Sequence, residues 1–172
     1  MGRSPHDGPV VVDCTAPRLA LAAYPLPFSP HGDGVEDTVR ISLEAAGRAP
    51  VRSWALGVVG PDGRRFASFA GAGGSPVSIE WDGRSDSGAV VESATDYQLV
   101  ATATDALGNA GRASLPLPVD VLVIRDGDKL RIVVSSIYFK EFAADYRDVG
   151  AERSRRNLET LDKLARKLAR YP

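Results

Sequence analysis

The sequence predicts a mainly β protein: an antiparallel β-sandwich, then a C-terminal strand and an amphipathic helix that form an incomplete α/β module. Three observations carry that expectation. Between Val10 and Val119, apolar and polar residues alternate in short runs, the period of a strand with one buried face. Turn-forming residues punctuate those runs at regular intervals, as a sandwich requires. Beyond Ala151 the apolar period lengthens to that of a helix.

Val10 to Val12 make a brief apolar run, stopped by Asp13 and the Thr15-Ala16-Pro17 break. Leu19, Leu21 and Ala23 alternate until Pro25 and Pro27 intervene, which rule out helix and discourage pairing in a central strand. Val39, Ile41 and Leu43 face one way while Arg40, Ser42 and Glu44 face the other. Trp54, Leu56 and Val58 repeat the pattern up to a Pro61-Asp62-Gly63 turn. Phe66 and Phe69 belong to the next strand, and Val77, Ile79 and Trp81 to the one after, which Asp82-Gly83 closes. Gly71-Ala72-Gly73-Gly74 is a flexible hairpin rather than a phosphate loop, because no helix and no Lys-Ser/Thr pair follow it. Tyr97, Leu99, Ala101 and Ala103 form a long strand ending at Asp105, with Gly108-Asn109 as the turn. Ala113, Leu115 and Leu117 begin the last strand of the sandwich, and Pro116 and Pro118 place it at an edge.

From Val121 the pattern changes. Val121 to Ile124 lead to an Asp126-Gly127 turn, and Leu130, Ile132 and Val134 alternate as a strand. After a polar stretch over 141–150, Leu158, Leu161, Leu164, Ala165 and Leu168 recur at helical spacing. Glu152 near the start of this helix, and Arg166, Lys167 and Arg170 near its end, suit the macrodipole. One strand and one helix bury too little surface to stand alone, so this module is expected to be the opening of a larger one. The leucine stripe is expected to pack on the strand from Leu130 to Val134, or else to drive self-association. Three regions follow: a linker or the end of a preceding repeat over 1–16, the sandwich over 17–120, and the first strand and helix of the second module over 121–172.

Composition narrows the functional classes. Of 172 residues, 44% are hydrophobic and 25% charged, with a net charge of -1, so nothing points to nucleic acid or anionic lipid. Residues 150–172 carry seven basic against three acidic side chains, read as a solvated helix face. The single cysteine, Cys14, has no internal partner and no neighbouring metal ligands. No apolar run is long enough for a membrane-spanning segment. The polar residues from Gly2 to Gly8 give no signal peptide.

Two stretches resemble known families. Phe28-Ser-Pro-His-Gly-Asp-Gly-Val-Glu-Asp-Thr38, then Trp81-Asp-Gly, Ser87-Gly88, Tyr97 and Asp105-Ala-Leu-Gly-Asn109 are similar to the FlgD-like immunoglobulin-like domain, over about Pro17 to Val119. One departure is Ala94-Thr95-Asp96, where that family has a glycine turn. The resemblance implies an immunoglobulin-like sandwich from flagellar hook-capping or bacterial surface and secreted proteins. Leu130-Arg-Ile-Val-Val-Ser-Ser-Ile-Tyr-Phe139, Asn157 to Ala165 and Leu168 to Pro172 resemble the first half of an OmpA-like peptidoglycan-binding domain. That family's ligand-binding Asp and Arg lie beyond its first helix, so no peptidoglycan-contact residue carries over. Together the resemblances imply a non-catalytic structural or interaction module in the periplasm or cell envelope. It would touch peptidoglycan only within an intact parent protein, with other envelope proteins as further partners.

The best candidate for a site is the loop carrying Ser29, Asp33 and Asp37, with Glu36 beside them. Calcium takes six to eight oxygens, which Asp-Gly loops can bring together. His31 stands where another Asp or Asn is expected, and no Glu closes a twelve-residue loop. The other reading is that Asp33 and Asp37 cap backbone amides while the glycines allow positive φ. No cofactor is expected otherwise. His6 and His31 show no nucleophile at a recognisable spacing, so catalysis is not expected. The alternatives are a calcium-dependent adhesive or binding module, and an accessory domain of a secreted hydrolase.

Overall fold

The computed structural model describes residues 13–32, 34–74, 76–126, 129–133, 137–141 and 145–169. Seven strands form two antiparallel sheets: β1 (Arg18–Tyr24), β2 (Val39–Ala46), β3 (Val51–Val59), β4 (Arg65–Ala72), β5 (Val77–Trp81), β6 (Asp96–Asp105) and β7 (Ala110–Pro118). One sheet has the order β1-β2-β5 and the other β4-β3-β6-β7. This is the strand order of an immunoglobulin-like sandwich with its fourth strand on the second sheet. Val10 to Val12 lie outside the described residues.

The alternation read from sequence is the alternation that is buried. Val39, Ile41 and Leu43 of β2 face Leu56 and Val58 of β3 and Leu99 and Ala101 of β6 across the core, all at most 2% exposed. At one end of this core Phe28, Trp81, Phe66 and Tyr97 form a chain of rings, with centroids 5.5, 6.3 and 5.1 Å apart in turn. Such tilted and edge-on contacts suit the ring quadrupoles. Trp81 Nε1 finds the Arg84 carbonyl at 2.8 Å, so its polar atom is satisfied. Gly83 makes that bend: its φ is +78°, and a Cβ there would lie 2.6 Å from Pro30.

Tyr97, near the start of β6, accepts the backbone N–H of Glu92 on its hydroxyl at 3.0 Å. A tyrosine at this position of a Greek-key sandwich, bonded back to the chain a few residues upstream, is the tyrosine corner of immunoglobulin-like domains. Ala94, on the same connection, has φ +55°. The backbone thus keeps the left-handed turn that a glycine would make easier, although the side chain is a methyl.

As expected, β7 is an edge strand, with Pro116 and Pro118 opposite Gln98 and Asp96. Its start is pressed against the N-terminal segment: a Cβ on Gly111 would lie 2.0 Å from the Pro17 carbonyl oxygen. Asn109 Nδ2 also donates to the Asp13 carbonyl at 3.0 Å. At the far end of β7, Phe28 N–H donates to the Pro118 carbonyl (3.3 Å) and Asp120 N–H to the Phe28 carbonyl (2.9 Å), a parallel bridge. The chain therefore enters the sandwich beside the β6–β7 turn and leaves it at the opposite end.

Beyond the sandwich, the apolar run at 122–126 is itself a strand. β8 (Leu122–Asp126) and β9 (Lys129–Val133) pair as an antiparallel hairpin, where the sequence suggests one strand. Gly127 of the expected turn lies outside the described residues. Val134 lies outside the described residues. Helix α1 (Ala151–Leu168) follows within the expected limits. Among the described residues, no helix is long and apolar enough to cross a membrane. Leu122 joins the sandwich core and is 5% exposed, so the second module starts inside the first.

Candidate functional site

The end of the sandwich where the chain leaves is the most elaborated part of the surface. Strand directions bring three connections there: the 25–38 loop between β1 and β2, the 60–64 turn between β3 and β4, and the 82–95 connection between β5 and β6. The 119–121 link and α1 join them through the contacts described next.

In the first loop, Asp37 accepts the backbone N–H of His31 at 2.9 Å, of Gly32 at 2.6 Å and of Gly34 at 2.6 Å. Burial pushes its carboxyl pKa up, and these three amides with the nearby His31 more than reverse that, leaving it below the ordinary aspartate value. Its oxygens thus hold the turn closed, two of the amides on Oδ1 and one on Oδ2. Ser29 N–H donates to the Glu36 carbonyl at 2.8 Å and ties the base of the loop. Asp33 lies outside the described residues, so of the three candidate ligands Ser29 and Asp37 are those placed. No group of three or more His, Cys, Asp or Glu side chains among the described residues is arranged to hold a metal ion.

Ser29 is 1% exposed, and its hydroxyl lies 2.8 Å from His31 Nδ1. The pair has the spacing of a nucleophile and base, but Nδ1 also lies 2.7 Å from the Ser29 carbonyl. With α1 docked, the hydroxyl is covered. Lys167 Nζ lies 3.4 Å from Ser29 Oγ and donates to Asp120 Oδ2 at 3.0 Å. One turn earlier, Lys163 Nζ donates to Asp96 Oδ1 at 2.9 Å and to the Ala94 carbonyl at 3.3 Å. Ser93 Oγ accepts the Leu122 N–H at 3.0 Å, fixing the link that follows.

The basic helix is therefore not wholly a solvated face. Lys167 is 7% exposed, contrary to the sequence expectation. The reason is that its partner, Asp120, is brought beneath it by the fold from far upstream. No local pattern signals such a lysine. The leucine stripe meets its expectation in part: Leu164 clusters with Ile132 of β9, Val121 and Ala94, while Leu158 and Leu168 are exposed. At the start of the helix, the buried Asn157 side chain accepts the Tyr138 N–H at 2.9 Å and donates to the carbonyls of Tyr138 and Tyr146, each at 2.7 Å. It clamps the preceding segment to α1.

Between α1 and the sandwich lies a polar cleft of about 290 Å³, lined by Glu92, Thr95, Asp96, Tyr138, Glu159 and Lys163 among others. A more open groove of about 590 Å³ adjoins it through Pro61, Glu92, Tyr138 and Arg156. Both mix acidic and basic side chains around one exposed aromatic ring, Tyr138. No protein-family model matches the chain, and no curated protein matches it.

Proposed function

We propose that this chain is a non-catalytic module of a cell-envelope protein: an immunoglobulin-like spacer and interaction domain leading to an OmpA-like, peptidoglycan-anchoring domain. The observation that supports the spacer role is the placement of its two connections. The chain comes in beside Asn109 and goes out past Pro118, so the length of β7 separates them, roughly 30 Å for nine residues. A module linked in series through opposite ends extends the reach of whatever follows it.

The strand order and the corner tyrosine agree with the FlgD-like resemblance, which is where the envelope assignment comes from. In this reading the module works in the periplasm or cell envelope, its partners are other envelope proteins, and peptidoglycan is met only by the intact parent. The mixed-charge cleft beside Tyr138 is the face offered to a protein partner.

Fractionating cells that make the parent protein, with antibody raised against this chain, tests the proposal. Recovery with the envelope, and retention of the parent on purified peptidoglycan while this chain alone washes through, are the expected results. A cytosolic product overturns the envelope reading. Specific retention of this chain alone overturns the assignment of anchoring to the rest of the parent.

A further inference from the structure

Helix α1 meets the sandwich through Lys163, Leu164 and Lys167 rather than through its whole leucine stripe. The residues it buries are Asn157, Thr160 and Lys167, joined by the partly buried Leu164. Leu158 stays 49% exposed and Leu168 40%. A helix docked by apolar burial alone would roll until those leucines faced inward. The two lysines oppose that roll. Spaced one turn apart, they leave the same side of the helix and reach carboxylates at two separate points. Asp96 opens β6 and Asp120 follows β7, so the two bridges fix both the rotation and the position of α1.

The bridges differ in kind. Lys163 and Asp96 are partly solvated, whereas the side chains of Lys167 and Asp120 are 7% and 13% exposed. A buried pair adds little net stability over an apolar contact, yet removing one member strands a charge out of water. Such a pair selects one docked geometry and resists every other. The main sandwich core, by contrast, contains no α1 residue among the described residues. Only the small cluster of Ala94, Val121, Ile132 and Leu164 is shared.

We infer that α1 is a strap latched electrostatically to the end of the sandwich by Lys163 and Lys167. It lifts off as a unit, with the sandwich still folded, once the latch is broken. Lifting uncovers Ser29 and Asp120, frees Asp96 from its bridge, and carries the leucine stripe away with the helix.

Hydrogen exchange followed by mass spectrometry on the whole chain tests this. Lys167→Met is expected to speed exchange of the α1 amides by about tenfold or more, with the β3 and β6 amides unchanged. Lys163→Met, which breaks the solvated bridge, is expected to speed α1 by about twofold. Joining Lys167→Met to Asp120→Asn is expected to recover part of the lost protection, because neither charge is then stranded. Unchanged α1 exchange in Lys167→Met overturns the inference. So does exchange in β3 and β6 that rises in step with α1, since the helix would then be part of one cooperative unit. Should Lys167→Met not fold, Lys163→Met and the double variant decide the matter, and unchanged α1 exchange in both overturns the inference.

Discussion

Replacing Tyr97 by Phe removes one oxygen from the molecule and leaves the aromatic ring where it is. The ring is 4% exposed and packs edge-on against Phe66 at 5.1 Å, so Phe opens no cavity of consequence. What disappears is the acceptor for the Glu92 N–H, and the expected cost is about 1 kcal/mol, the usual worth of one such bond. For a chain of this size that lowers the melting temperature by about 2–4 °C. Removing the ring as well, with Tyr97→Ala, costs about 3–5 kcal/mol, so the pair of variants separates hydroxyl from ring.

A second readout comes from alkaline pH. Burial raises the Tyr97 pKa above the ordinary tyrosine value, and the Glu92 and Asp62 charges add to that against the Glu92 amide. The unfolded chain then loses its proton first. The contribution is intact below about pH 10 and falls as pH rises through the folded value. Thermal melts of wild type and Tyr97→Phe across that range should converge at high pH. A melting temperature that does not move at neutral pH, or curves that stay parallel into alkali, would refute a structural role for the hydroxyl.

Other expectations are simpler. Gly111→Ala should destabilise by more than about 2 kcal/mol in a denaturant titration, because the new methyl meets the Pro17 carbonyl rather than a yielding side chain. Leu122→Ala should cost about 2–4 kcal/mol and lower the unfolding midpoint of the sandwich itself, since Leu122 sits in its core. The Asp105 carboxylate accepts from Leu107 N–H, Asn109 N–H and Asn109 Nδ2. Burial pushes its pKa up, and these bonds outweigh burial to hold it low. Its contribution is therefore present above about pH 4 and lost as pH falls through the folded value, and Asp105→Asn should flatten that acid limb. Calcium should leave the melting temperature of the chain unchanged, because no group of three His, Cys, Asp or Glu side chains among the described residues is arranged to hold a metal ion. Asp37→Asn should lower it with or without the ion, because the Asp37 oxygens accept three backbone amides.

Much of the sandwich is legible in the sequence because its strands are buried on one face. The Val39, Ile41, Leu43 alternation is the burial pattern of β2, and turns such as those at Gly63, Gly83 and Gly108 carry a glycine where φ is positive. The periodicity shows Tyr97 as an apolar position of β6, but not its bond to the Glu92 N–H, which lies on an irregular connection. Ala94 shows the limit from the other side: the sequence lacks the expected glycine, yet neighbouring pairings impose the turn anyway. The candidate ligands named from sequence are Ser29, Asp33 and Asp37, of which Ser29 and Asp37 are among the described residues. Sequence cannot name Lys163, Lys167, Asp96 and Asp120 as partners. Their pairing depends on where β6 and β7 end, and a basic helix looks the same whether its lysines meet water or carboxylates.

The separation of the two connections has a mechanical consequence. Tension between Asp13 and Asp120 pulls β1 and β7 lengthwise in opposite directions, parallel to the ladders that hold them. The pairing of β1 with β2 from Arg18 to Tyr24, and of β7 with β6 from Ala110 to Pro118, is then loaded in shear. Bonds in such a ladder share the load instead of opening one after another, as they do when a hairpin is peeled from its end. The Phe28–Val119 bridge adds a clasp between the first and last strands at the point where the load leaves the sandwich.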